Sequence, residues 1–294
     1  MSFFVFGSLN IDKVYKLRHL PEKGETVTCS DYRVNVGGKG LNQAIALHRA
    51  GADVKIAGCV GKDGEMLTDY LESSGVDASP VKVADCHSGH CVIEVDENGQ
   101  NQMILFPGAN RKIDVAYCDA FASQLHEGDI VLMQYETSCV EYLAGICHDK
   151  GVKVAFNPSP FVPELLSFPY HYIDCLILND YEAQMITGEK DAEKASGKLL
   201  EKMAGGRVVI TLGGDGAVYG DSSGYFTVPA VKVDAVDTTG AGDTFTGYFL
   251  YVLSKSNDPA LAMKTAAKAA AIAVTKVGAA ETIPEMKDVE SYAI

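Results

Sequence analysis

Short apolar runs rich in β-branched and aromatic residues recur along this chain, and helical patterns lie between most of them. The runs cover residues 3–6, 54–57, 130–133, 152–156, 175–178 and 208–212. Helical periodicity marks 41–50, 65–73, 140–150, 182–187 and 193–203. A continuously apolar run too short for a helix is a strand covered on both faces. Strand–helix alternation of this kind predicts an α/β fold with a mainly parallel central sheet and helices on both faces. In such sheets ligands bind beyond the carboxyl ends of the strands.

Two regions interrupt the alternation. Residues 14–36 and 89–106 alternate polar and apolar side chains with no helix between them, and the second contains Asp96-Glu97-Asn98-Gly99, whose Asn-Gly pair is a hairpin signal. A small β-sheet standing off the main body is expected, either an edge hairpin or a lid. The 294 residues then form a single unit, with a discontinuous lid from about 13–36 and 88–106.

Charge and cysteine usage narrow the partners. A net charge of −14 argues against nucleic acid, which needs clustered Lys and Arg. The start of the chain reads as a buried strand, without the pattern of a signal peptide. The most apolar long stretch, 260–277, is broken by Lys264, Lys268 and Lys276, so no membrane span is expected. Eight cysteines without a CxxC pair fit a reduced, cytoplasmic protein. Cys86-His87-Ser88-Gly89-His90-Cys91 mimics a zinc motif, but strand alternation would send its ligands to opposite faces, and no second cluster completes a tetrahedral set.

Five segments carry chemistry. In Asp237-Thr238-Thr239-Gly240-Ala241-Gly242-Asp243-Thr244, a glycine turn opens an apolar helix. Free N–H groups and a partial positive charge there suit a phosphoryl group, and a carboxylate at Asp243 is placed to take a proton from an attacking alcohol. Taken alone, Asp243 fits a helix N-cap at least as well. Gly37-Gly38-Lys39-Gly40-Leu41-Asn42-Gln43-Ala44 lacks P-loop and dinucleotide spacing; its backbone can approach a small polar ligand, with Lys39 and Asn42 as donors, or simply turn into a helix. Asn10 and Asp12 follow the first strand two residues apart, as a hydroxyl-binding pair or an Asx turn. Asn179 and Glu182 stand at a helix start, as a water-mediated magnesium site or a capping box. Thr211-Leu212-Gly213-Gly214-Asp215-Gly216 fits a loop near nucleotide phosphates or a plain turn.

In this order, from about Phe4 to Pro284, the five segments resemble the ribokinase-like carbohydrate kinases. The resemblance implies an ATP-dependent kinase that transfers the γ-phosphoryl group to a sugar hydroxyl, with ribose the leading substrate. A kinase of another sugar or of a nucleoside, or a non-catalytic sugar or nucleotide sensor, are the alternatives. Asp243 matches the catalytic base, and Gly240, Ala241 and Gly242 match the anion hole. Asn10, Asp12, Gly38, Lys39, Asn42 and Glu136 match sugar-binding positions. Asn179 and Glu182 match a motif tied to Mg²⁺ and phosphate; Thr211, Gly213 and Gly216 match the nucleotide loop. A K⁺ site is implied at Asp237 and Thr239 in one loop and at Ala273, Lys276, Gly278 and Thr282 in another, mostly through backbone carbonyls. Homodimerisation through the lid is also implied. The chain departs from the family at Ser88-Gly89-His90-Cys91-Val92 and at Leu105-Phe106-Pro107, which are expected to line the sugar, and near Ala267, which lacks a large side chain beside adenine.

Overall fold

A computed structural model describes residues 1–203 and 205–292. Its strands are β1 (Phe3–Phe6), β2 (Asn10–Lys16), β3 (Asp31–Gly37), β4 (Val54–Ala57), β5 (Cys59–Val60), β6 (Lys82–Val83), β7 (Gly89–Val95), β8 (Asn101–Phe106), β9 (Ile130–Gln134), β10 (Lys153–Asn157), β11 (Cys175–Asn179), β12 (Arg207–Thr211), β13 (Ala217–Asp221) and β14 (Gly224–Val228). Its α-helices are α1 (Lys39–Ala50), α2 (Glu65–Ser73), α3 (Val115–Ala122), α4 (Val140–Asp149), α5 (Asp180–Thr187), α6 (Ala192–Lys202), α7 (Ala241–Ser256), α8 (Pro259–Ala273) and α9 (Met286–Ser291).

The central sheet runs β14-β13-β12-β11-β10-β9-β1-β4, parallel from β4 to β12 and antiparallel at β13 and β14. Alternating side chains feed two cores. Phe3 and Val5 point into the layer that holds Leu41 and Ile45 of α1, Phe245 and Phe249 of α7, and Met263 of α8. Phe4 and Phe6 point into the opposite layer, against Phe121 of α3, Leu143 of α4 and Ile186 of α5. Both faces are therefore covered, which is why these strands read as unbroken apolar runs.

A second sheet, β3-β2-β7-β8, stands apart from the first. It joins the main body through very short links: residues 7–9 separate β1 from β2, and Gly38 alone separates β3 from α1. In the Asp96–Gly99 turn only Gly99 has a positive φ, 77°, while the Gly99 N–H donates to the Asp96 carbonyl at 3.0 Å. The hairpin is thus a type I turn closed by a left-handed glycine, not the two-residue primed turn that an Asn-Gly pair suggests.

Candidate active site

The carboxyl ends of β1, β9, β10, β11 and β12 converge on the N-termini of α1 and α7. Helix α7 is capped by Gly240 in a left-handed conformation, φ 75°, with no side-chain cap. A Cβ there would lie 3.3 Å from Ala279 as well as strain the backbone, so glycine is the residue that makes this entry possible. Asp243 sits three residues inside the helix and does not cap it. Its carboxylate is buried and accepts the Asn42 amide on Oδ2 at 3.0 Å and the Gln43 amide on Oδ1 at 2.8 Å. The N-cap reading of Asp243 is therefore excluded. The Ala241 N–H is taken by the Thr238 carbonyl at 3.2 Å, whereas no hydrogen bond among the described residues uses those of Gly240, Gly242 and Asp243.

Helix α1 brings the second segment to the same place. The Lys39 N–H approaches Glu136 Oε2 at 3.4 Å, and Ser8 Oγ donates to the same oxygen. Burial lowers the basicity of Lys39, but the carboxylates of Asp243, Glu136 and Glu182 outweigh it and hold the ammonium above its ordinary value. Burial raises the Glu136 and Glu182 carboxyls, with Lys39 countering in both. Asp12, on β2, is pushed up to about 7 by burial and then by the negative charges of Glu136 and Glu281. Asn10 is buried, and its Oδ1 accepts from Asn110 Nδ2 at 2.8 Å. Asn110 also accepts the Leu9 N–H, at 3.1 Å.

Strand parity divides His90 from Cys91. Cys91 is in register with Asp12 and shares its face of the small sheet, where burial and then Asp12 and Glu136 push its thiol up to about 11. His90 is in register with Ile11 and Phe106, and its ring centroid lies 4.9 Å from that of Phe106. Of the two, only Cys91 shares the face of Asp12, because neighbouring strand residues point to opposite sides.

Two clefts flank the turn at 237–242. The first, about 460 Å³, is lined by Thr211, Gly213, Gly216, Gly242, Phe245 and the alanines of α8, including Ala267. Its small side chains leave width for a flat ring. Gly216 has φ 107°, and a Cβ on it would lie 2.1 Å from the Val228 carbonyl oxygen. The second cleft, about 720 Å³, lies between the small sheet and the 236–239 and 277–281 loops, with Asp12, Asn35, Asp237, Thr239, Gly278 and Glu281 in its walls.

Asn179 and Glu182 form a complete capping box on α5, with the Glu182 N–H donating to Asn179 Oδ1 at 2.7 Å and Glu182 Oε2 accepting the Asn179 N–H at 3.1 Å. Asp237 ties the two loops together: Oδ1 accepts from Thr239 Oγ1 at 2.7 Å, and Oδ2 accepts the Gly278 N–H at 3.0 Å. The Ala273 carbonyl accepts the Lys276 N–H at 3.3 Å, and Thr282 Oγ1 donates to the Gly278 carbonyl at 3.4 Å. The acceptors among these groups are oxygens of a carboxylate, of carbonyls and of hydroxyls, the donor type that hard cations take.

A family model described as the pfkB family carbohydrate kinases matches residues 2–286. The chain belongs to this family. As a member it is a phosphotransferase that acts on a sugar hydroxyl. A ribokinase of Schizosaccharomyces pombe is 35% identical, with 99% of this chain and 97% of that protein covered. The crystal structure of a ribokinase from Thermotoga maritima superposes with a TM-score of 0.89 at 33% identity, covering 99% of this chain and 98% of the other. An Arabidopsis thaliana ribokinase complexed with ribose and ATP superposes with a TM-score of 0.86 at 26% identity, covering 99% of each chain. Sequence reading of the family motifs passed over Asn110, Ser8 and Gln43. Gln43 stood inside a quoted motif, but its partners lie up to 200 residues away, beyond any local pattern.

Proposed function

We propose that this chain transfers the γ-phosphoryl group of ATP to the primary hydroxyl of ribose, giving ribose 5-phosphate and ADP. The observation that carries this is the Asp243 carboxylate, buried inside the first turn of α7 and held by two amides beside N–H groups without acceptors. The relatives named above are ribokinases, one of them crystallised with ribose and ATP.

Ribose lies against Asn10, Asp12, Gly38, Lys39, Asn42 and Glu136, with Cys91 facing it across the small sheet. The buried Asn42 Oδ1 has no partner among the described residues and suits a sugar hydroxyl. Asp243 takes the hydroxyl proton as the sugar oxygen bonds to the γ-phosphorus, and the bond from that phosphorus to the bridging oxygen of ADP breaks. The N–H groups of the Gly240–Asp243 turn stabilise the charge on the transferring group. Thr211, Gly213 and Gly216 run beside the nucleotide phosphates, with adenine in the alanine-lined cleft. Closure of the small sheet as a lid, completing a single kinase unit with the main body, excludes water that would compete as acceptor.

Asp12, Glu136, Glu182 and Asp243 already outnumber Lys39, so triphosphate binding here calls for an added cation. Mg²⁺ supplies that charge. Glu182, tied to the Asn179 N–H and to Ser159, is left to order it through water. Asp237 and Thr239, with Ala273, Lys276, Gly278 and Thr282, would hold K⁺, which fixes the two loops that shape the anion hole. The outer face of the small sheet exposes Tyr32, Val34, Ile104 and Phe106, an apolar patch suited to a second copy, so we assign a homodimer through the lid. Free thiols at all eight cysteines suit a cytoplasmic enzyme.

The test is Asp243→Asn, assayed with ribose and ATP. It should bind both ligands and lose about 10⁴-fold in kcat. Near-normal turnover sinks the mechanism.

A further inference from the structure

A polar chain runs behind the base, and its direction can be worked out from one end. Asn157 Nδ2 donates to the Ile177 carbonyl at 2.8 Å, an oxygen that can only accept. The Asn157 Oδ1 must then face Gln43, and accepts from its Nε2 at 3.1 Å. The same Gln43 Nε2 donates to Asp243 Oδ1 at 2.8 Å. Gln43 Oε1 is therefore turned the other way, and accepts from Gln134 Nε2 at 2.6 Å. A flip of any amide would set two donors or two acceptors against each other.

These groups are out of solvent: Gln43 and Gln134 are 0% exposed and Asn157 is 9% exposed. Among the described residues Gln134 Oε1 is the one amide atom of this polar chain without a partner, and leaving a further member unpaired costs about 1–3 kcal/mol. Both Asp243 oxygens receive an amide donor, from Asn42 and Gln43, and the two are not equivalent. Asn42 shares the candidate sugar site and can be drawn towards a ligand. Gln43, 0% exposed against 6% for Asn42, is anchored on β9 and β10.

We infer that Gln43 is a positioning residue for Asp243, with Gln134 and Asn157 fixing the orientation of its amide. The inference rests on the assignment of Asp243 as base. Gln43 holds one carboxylate oxygen so that the other meets the sugar hydroxyl. Lys39 of α1, Glu136 after β9 and Glu182 of α5 are the other charged groups around Asp243, and substitution of Gln43 alters none of them.

Ribose and ATP are the probes. Gln43→Met keeps the length of the side chain and removes the amide. The expected result is a fall in kcat of about 10²-fold with an unchanged KM for ribose, a split that a general loss of structure would not give. Gln43→Glu keeps the shape and is measured in parallel. Its kcat should fall further as pH rises and a second negative charge forms beside the base. If the Met variant does not fold, the Glu variant decides. The inference is overturned if kcat is preserved in the folded variants, or if the KM for ribose rises in step with the loss of kcat. Failure of the base assignment looks different: Asp243→Asn would then stay active, or the unaltered protein would phosphorylate no ribose.

Discussion

Asp12→Asn should make the ligand-free protein more stable at neutral and alkaline pH while weakening its hold on ribose. The Asp12 carboxyl is raised from 3.8 to about 7 by burial and by the nearby charges of Glu136 and Glu281. A raised folded-state value means that the folded protein holds the proton more tightly than the unfolded chain. Asp12 therefore does not penalise folding below pH 3.8; its penalty accrues as pH rises to about 7 and is constant beyond. About three units at 1.36 kcal/mol each give on the order of 4 kcal/mol. Asp12 borders an open cleft, and screening there leaves about 2 kcal/mol. For a chain of this length that is a rise in Tm of about 3 °C. Thermal melts of the two proteins from pH 4 to pH 8 check this. The difference should be near zero at pH 4 and largest at pH 8. Equal separation at every pH, or a variant that melts lower at pH 8, refutes the account of Asp12. Isothermal titration with ribose should show weaker binding, since Asn keeps one acceptor and loses the charge.

Two further predictions concern the loops. Gly216→Ala forces a Cβ to within 2.1 Å of the Val228 carbonyl in a left-handed backbone, so it should raise the KM for ATP and destabilise the fold by about 1–3 kcal/mol, read from ATP titration and denaturant melts. Asp237→Ala removes the acceptor of the Gly278 N–H and of the Thr239 hydroxyl. It should uncouple the two loops and abolish any gain in Tm that K⁺ gives the unaltered protein over Li⁺.

Most of the central sheet was legible because it is buried on both sides. The runs at 3–6 and 54–57 and helix 65–73 coincide with β1, β4 and α2, and the other predicted strands and helices are off by one or two residues at their ends. Helix α3 was missed, since Val-Ala-Tyr-Cys-Asp-Ala-Phe-Ala has little apolar periodicity. The signal that could have found it is Asp114, whose side chain accepts the Tyr117 N–H. Strands β13 and β14 were missed as an antiparallel edge to a sheet expected to be mainly parallel. In the site, residue types were legible and directions were not. Asp243 read equally as a cap or a base, and only the long-range amides of Asn42 and Gln43 decide between them. His90 and Cys91 were grouped by proximity in sequence, although strand parity separates neighbours. Asn110 carries no motif and is identified only by its long-range hydrogen bonds to Asn10 and to the Leu9 backbone.

The short links between the two sheets bear on how this enzyme can change its substrate. Two of the four connections of the small sheet, residues 7–9 and Gly38, lie directly beside Asn10, Asp12 and Lys39; the others are residues 84–88 before β7 and Pro107 after β8. Recognition and movement thus share the same few peptide bonds. A substitution that retunes sugar choice at these positions also resets the balance between open and closed forms. Selectivity altered there carries a change in opening rate with it. Cys91 is in register with Asp12, so a change of preference made there acts at the same distance from those links.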